Sequence, residues 1–382
     1  MKNILLSVAA MTTLSLANTT ATSDESMTTP APEAPKSTTI FDRIHAKGDL
    51  RLRHELIERD DKTDKYRERF RLRYSINFDI TDSLRLETAL SSGKGNPTSG
   101  NVSFKDDENI ADYFLDVLKL DLLNLTYKFD NSWVSVGKSK HNIYRPIKTQ
   151  LIWDNDIRLE GVNYGYKDGT QNYRLGINKL HRLENEAGSN DDIYIFLAQY
   201  VHTMKLDSSK LNLGGGFYYY DGVKGNTTPY AKGALGNSMD AAGLYLNDYA
   251  IVEAFSELKV GDVMGKPFKL AATLAYNTAA DDDNFAYDIS MQLGDTKNVN
   301  DWKVGYTYRD IQKDAVFAAH NDSDFIAGGT DGKGHIITAK YKFAKNVDLG
   351  GHFQWATLND SKSAIGVESD YHRVQLDVIL KF

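Results

Sequence analysis

The chain has 382 residues, 41% of them hydrophobic and 25% charged, with a net charge of −7 and a mean hydropathy of −0.46. An acidic chain lacks the basic face that nucleic acid requires, and the absence of cysteine excludes thiolate metal sites, thiol catalysis and disulfide staples. After the N-terminus no stretch approaches the ~18–20 apolar residues of a membrane helix, which excludes a helical transporter.

Taken in chain order, the first signal is one of export. Lys2 supplies a short positive region, Ile4 to Leu16 is apolar, and Ser15-Leu16-Ala17 fits the small-x-small rule for cleavage, giving a signal peptide over residues 1–17. Residues 18–42 follow as a Thr/Ser/Pro/Ala tether with Pro30, Pro32 and Pro35, a composition that cannot bury a core. Ile40-Phe41-Asp42-Arg43 reads as one short helical turn. Residues 43–382 form the folded body.

That body alternates. Phe70, Leu72, Tyr74, Ile76, Phe78 and Ile80 are apolar, while Arg69, Arg71, Arg73, Ser75, Asn77 and Asp79 between them are polar. Side chains at period two point to opposite faces of a strand, here one greasy and one charged. The pattern recurs in Phe268 to Tyr276, Phe285 to Leu293, Trp302 to Tyr308, Ile337 to Phe343, Val347 to Trp355 and His372 to Phe382.

A soluble sandwich also alternates, but three features favour a membrane barrel. The strands are long for a sandwich and suit a tilted bilayer crossing of ~9–11 residues. Tight turns at Thr81-Asp82-Ser83, Asp130-Asn131-Ser132, Lys167 to Thr170, Asp207 to Lys210 and Ala344-Lys345-Asn346 interleave with long polar segments. Aromatics such as Tyr127, Phe129, Trp133, Trp302, Tyr341, Phe343 and Phe382 sit at strand ends like interfacial girdles. The fold expected is all-β, a transmembrane antiparallel barrel of about sixteen strands. Starts fall near residues 48, 66, 83, 118, 133, 157, 171, 193, 211, 243, 268, 285, 301, 334, 347 and 371. In the fourth strand the apolar register shifts between Leu122 and Leu125, and in the sixth Glu160-Gly161 reads as a bulge. An even count puts both ends in the periplasm, and about sixteen strands enclose an aqueous channel.

Gly48 to Arg53, Arg67 to Arg73, Val136-Gly137-Lys138, Trp153 to Asp156 and Glu160-Gly161-Val162 resemble segments of the "putative porin" family of Gram-negative outer membranes. The C-terminal run with Tyr371, Val374, Leu376, Val378, Leu380 and Phe382 is similar to the signal read by the barrel-assembly machinery. The resemblance implies an outer-membrane pore passing small hydrophilic solutes, set among lipid and lipopolysaccharide, with no cofactor. Sixteen-stranded porins are often trimers, and a homotrimer is the expected assembly.

Enzyme chemistry finds no support. The histidines are isolated, Asp281-Asp282-Asp283 lacks the rest of a calcium loop and reads as a solvated tip, and Gly214-Gly215-Gly216 lies within a strand with no lysine at phosphate-loop spacing. The informative charges are inward by parity: Arg51, Arg53, Arg69, Arg71, Arg73 and Arg85 form one basic patch, with Glu55, Asp79 and Glu87 on the same face. Arg174, Lys269, Lys303, Arg309, Lys340, Lys342 and Arg373 are inward by the same rule, leaving the acids to loops such as Asp106 to Glu108, Asp191-Asp192, Asp281 to Asp283 and Asp322/Asp324. The arginines are either a selectivity surface or ladders that stiffen the wall, and the two readings are compatible.

The third external loop carries Lys138, Lys140, His141, Arg145, Lys148, Asp154 and Asp156. Tyr144, Ile147, Leu151, Ile152 and Trp153 would be costly in water, so it is expected to fold into the lumen as a constriction. The arginine patch facing Lys138, Lys140 and Arg145 predicts a mild anion preference. A surface-exposed adhesin or binding protein acting through its loops is the alternative.

Overall fold

The structure, a computed structural model, describes residues 39–93, 97–104, 117–180, 192–230 and 233–382. The expected signal peptide, nearly all of the tether, the acidic run Asp106 to Glu108 and Asp191 lie outside these residues. Ile40–Arg43 is a 3-10 turn, as its sequence suggests.

Sixteen long strands follow: β1 (Ile44–Arg59), β2 (Lys65–Asp79), β3 (Leu84–Ser92), β4 (Leu118–Phe129), β5 (Ser132–Lys140), β6 (Arg158–Lys167), β7 (Gln171–Leu180) and β8 (Ile193–Leu206). The second half comprises β9 (Ser209–Asp221), β10 (Tyr249–Val263), β11 (Lys266–Asn277), β12 (Phe285–Gly294), β13 (Trp302–Ile311), β14 (Gly332–Ala344), β15 (Val347–Leu358) and β16 (Ser369–Lys381). Each pairs antiparallel with its sequence neighbours, and β16 closes on β1 from Asp49↔Lys381 to Arg59↔Tyr371. A two-residue strand, Val102–Ser103, extends the pairing of β2 beyond β3. This is a closed barrel with no free edge.

Alternation decides which way each side chain points. On β1, Leu52 is exposed outward while Arg53, Glu55 and Ile57 are buried inside; on β10, Val252 is outward while Ile251, Glu253, Phe255 and Glu257 are inside. Outward aromatics cluster near the periplasmic rim, as in Tyr127 beside Phe129 and Tyr173 between Tyr166 and Tyr200. The Phe382 ring lies over Gly48, where a Cβ would sit 2.4 Å from it, so closure of the barrel needs a glycine there.

Four expectations shift. The unpaired residue of β4 is Asp121, one position before the predicted shift, opposite the Ala89/Leu90 step. Glu160 and Gly161 keep unbroken register with β5 and β7, so there is no bulge; a Cβ on Gly161 would still meet the Ile177 carbonyl at 2.1 Å, which explains the glycine. The tenth strand begins at Tyr249 rather than near 243, because 243–248 belong to the preceding loop. Tyr371 is fully buried and shares inward parity with Arg373, so it does not belong to the outward series Val374, Leu376, Val378, Leu380 and Phe382.

The external half of the lumen holds an apolar core built by loops. L3 (residues 141–157), L5 (222–248) and L7 (312–331) contribute Leu151, Trp153, Tyr245, Phe317 and Phe325, all buried against Tyr218, Tyr220 and Tyr249 of the wall. The Trp153 ring lies 5.2 Å from Tyr218 and 5.8 Å from His320, and Phe317 lies 4.8 Å from Tyr220. From L8 (359–368), the Lys362 Nζ donates to the carbonyls of Gly328 (2.6 Å) and Thr330 (2.7 Å), tying L8 to L7.

Candidate functional site

L3 leaves β5 and crosses the lumen to the far wall. Tyr144 N donates to Gln199 Oε1 on β8 (2.8 Å), and Asn212 Nδ2 on β9 donates to Tyr144 Oη (2.8 Å). Ile147 N donates to Glu257 Oε2 on β10 (2.7 Å), and Thr149 bonds Asp288 on β12 and Arg309 on β13. The turn Pro146–Lys148 therefore lies against the inner faces of β10, β11 and β12.

The residues picked from the sequence of this loop have different fates. Lys138 pairs with Glu160 (2.7 Å), and Lys140, ending β5, is exposed. His141 is buried, with Nε2 donating to the Asp154 carbonyl (3.2 Å) and Nδ1 accepting from Ile143 N (3.3 Å). Burial, then Arg145, lowers its pKa, in keeping with a neutral ring that has one donor and one acceptor nitrogen. Arg145 is spent inside the loop on the carbonyls of Thr149 and Trp153 and on Asn155. Asp154 accepts from Asp156 N and Ser323 N, joining L3 to L7; burial, reinforced by Asp156 and Asp322, raises its pKa well above the carboxylate range. Asp156 bonds Arg73. Only Lys148 presents an open charge at the tip.

The six predicted arginines do face inward, on a wall formed by β1, β2, β3 and β16, but each has a carboxylate partner. Arg53 holds Asp377 bidentately (2.6 and 2.8 Å) and reaches Asp324 at 3.4 Å. Arg51 lies 3.7 Å from Asp377, Arg69 3.4 Å from Glu55, and Arg71 2.5 Å from Asp49, while Arg85 bonds both oxygens of Asp79. Arg67 and Arg373 also bond Glu55, and Arg373 bonds Asp324 at 2.8 Å. Apart from the Arg85–Asp79 pair, seven arginines meet five carboxylates, two of them from loops. The L3 residue set against this wall is thus Asp156 and not Lys138, Lys140 or Arg145, because those three are engaged or placed elsewhere.

L7 is the part the sequence reading missed. Asp322 and Asp324 do not lie in an outward acidic loop: Asp322 bonds Arg309 (2.7 Å), and Asp324 sits between Arg53 and Arg373. Burial alone would raise the Asp324 carboxyl, but Arg373 and Arg53 overrule it and hold it well below the ordinary carboxylate range. The signal was available in Ala315-Val316-Phe317-Ala318-Ala319, an apolar run as costly in water as that of L3.

A second set of charges lines β8–β14 toward the periplasmic end. Lys205, Lys210, Lys259 and Lys269 stand directly opposite one another on four successive strands, and Lys303 stands opposite Lys340. All have inward parity, as has Lys342. Among the described residues only Glu257, at 2.9 Å from Lys259, and Asp348, at 2.9 Å from Lys340 and 3.3 Å from Lys342, answer them. Among the described residues no carboxylate lies within ion-pair distance of Lys148, Lys205, Lys210, Lys269 or Lys303. Burial, then Lys340, Arg145 and Lys269, lowers the Lys148 pKa, which places the L3 tip within the field of this belt. Among the described residues no cluster of His, Asp or Glu could hold a metal ion.

The comparisons with known proteins agree with this architecture. The profile of a family described as "Putative porin" matches residues 57–243 and 247–382. No curated protein matches the sequence. Among solved structures, OprB of Pseudomonas putida superposes with a TM-score of 0.58 at 12% identity, over 90% of this chain and 95% of that one. OmpF of Salmonella typhi, in complex with daunomycin, gives 0.54 at 11% identity over 89% and 97%. A mutant of the Rh. blastica porin gives 0.50 at 13% identity over 89% and 100%.

Proposed function

Because the chain belongs to the "putative porin" family of the bacterial outer membrane, we propose that it is a passive diffusion channel for small hydrophilic solutes and ions, with a mild preference for anions. That it is an outer-membrane porin channel follows from its family; the preference is our reading of its lumen. One observation carries it: eight inward or loop-tip lysines on β8–β14 and L3 are met by two carboxylates. Unpaired cations on a low-dielectric wall raise the local anion concentration. At ~0.1 M salt the Debye length is about 10 Å, so such charges act across a constriction, while at ~1 M it is ~3 Å and they do not. The arginine wall contributes only its small excess.

Reversal potentials of the purified protein in planar bilayers under a salt gradient test this. An anion-selective potential at ~0.1 M salt that fades toward ~1 M is expected. Cation selectivity at the lower salt would show that the carboxylates set the field.

A further inference from the structure

Resting on that reading of the channel, we infer that the lysine rung across β8–β11 is a binding site for multivalent phosphoryl anions, chains of two or more phosphoryl groups, in the periplasmic half of the lumen. Lys205, Lys210, Lys259 and Lys269 are direct cross-strand partners in sequence. Neighbouring strands run ~4.8 Å apart, so the four ammonium groups are spread over roughly 15 Å of wall. Their inward direction is fixed by residues two positions away on the same face: Thr203 donates to Asn212 (2.8 Å), Glu257 accepts from L3, and Ala271 is buried.

Like charges directly opposite on adjacent strands destabilise a sheet. Three such juxtapositions in a row burden the empty protein, and an anion seated along the rung relieves them. The one carboxylate present, Glu257, is already shared with Ile147 N. A chloride ion answers one ammonium at a time, whereas an anion carrying several charges along its length answers several at once.

Lysine fits this chemistry. Its ammonium is a compact point charge that approaches tetrahedral phosphoryl oxygens from any side. Arginine's planar fork suits carboxylates and phosphates alike, but the forks of the opposite wall are already committed to Asp377, Glu55 and Asp49, which leaves the lysines as the open cations. Lys148, in the L3 turn that lies against β10 and β11, adds a further open cation beside the rung.

The test is calorimetric titration of the full chain in detergent with pyrophosphate, tripolyphosphate and orthophosphate at low salt. Pyrophosphate should bind at least about tenfold more tightly than orthophosphate, and tripolyphosphate more tightly still. The combined variant Lys210→Gln, Lys259→Gln, Lys269→Gln, with its β-sheet content checked by circular dichroism, should lose about tenfold or more in pyrophosphate affinity. The matching Lys→Arg variant should retain most of it, and Arg69→Gln should change it little. Absence of pyrophosphate binding, equal binding of orthophosphate, or full affinity in the Lys→Gln variant overturns the site. Failure of the channel reading looks different: a folded protein that gives no conductance steps in a bilayer, whatever it binds.

Discussion

Two faces of one lumen carry positive charge, and they treat it oppositely. On β1, β2 and β16 the inward arginines are each locked to a carboxylate, with Asp324 and Asp156 brought in by L7 and L3 to complete the pairing. On β8–β14 lysines are set against one another and mostly unanswered. Arginine's fork suits bidentate pairing, and removing one partner of a buried pair leaves a costly orphan charge. Lysine's flexible stem suits a surface that meets passing ions. Counting basic residues therefore misjudges where the field arises: the arginine-rich wall is a brace, and the sparser lysine belt is the charged surface.

The largest expected effect breaks both faces at once. Trp153 is 1% exposed where L3 meets L7, and these loops deliver Lys148 to the belt and Asp156 and Asp324 to the wall. Trp153→Ala should cost the loop core ~3–5 kcal/mol. It should appear as faster amide exchange across residues 143–157 and 315–326 and as a raised single-channel conductance, with the strands unaffected. Protection unchanged in those loops would show that the apolar core does not seat them.

Next in size is reversal of the belt. Lys269→Glu with Lys303→Glu places two acids among unpaired lysines and should turn the reversal potential at ~0.1 M salt toward cations. The equivalent change on the other face, Arg69, Arg71 and Arg73 to glutamine, should move selectivity much less and lower unfolding resistance more, because it strips Asp49 and Asp156 of their arginines and leaves Glu55 with Arg67 and Arg373 alone. A larger selectivity change from the arginines than from the lysines would invert the comparison.

Much of this was readable from sequence, for a physical reason. Period-two alternation is imposed on every strand by lipid outside and water inside, so the strand count, most of the starts and the inward direction of Arg51, Arg53, Arg69, Arg71 and Arg73 followed directly. The infolding of L3 was readable because Leu151, Ile152 and Trp153 have nowhere else to go. The lysine belt was half visible: Lys269, Lys303 and Lys340 fall inward by parity, but Lys205 and Lys210 become partners only once Leu206 is paired with Ser209 across their turn. The carboxylates that neutralise the wall could not be assigned, since Asp324 acts across a separation of 271 residues from Arg53 and Asp377 across 324. Parity gives a direction; it does not give a partner.

The smallest expected effect concerns acid. If Asp324 is the counter-ion of the wall, its removal by Asp324→Asn should release charge on Arg53 and Arg373 and raise the anion preference modestly at neutral pH. The pH dependence of that difference follows from the sign of the Asp324 shift. Arg373 and Arg53 hold this carboxyl well below its ordinary value. A carboxyl depressed in the folded state contributes stability that is present above its unfolded pKa, ~3.9, and lost as pH falls through its folded value. Between about pH 7 and 4.5 Asp324 should stay ionised, and the difference in reversal potential between the parent protein and Asp324→Asn should stay constant. Below the ordinary carboxylate range it should shrink, as protonation of Asp324 makes the parent resemble the variant. A difference already closing near pH ~5 would mean that Asp324 titrates as a free carboxylate, and that the arginine wall is not held by the pairing on which the contrast rests.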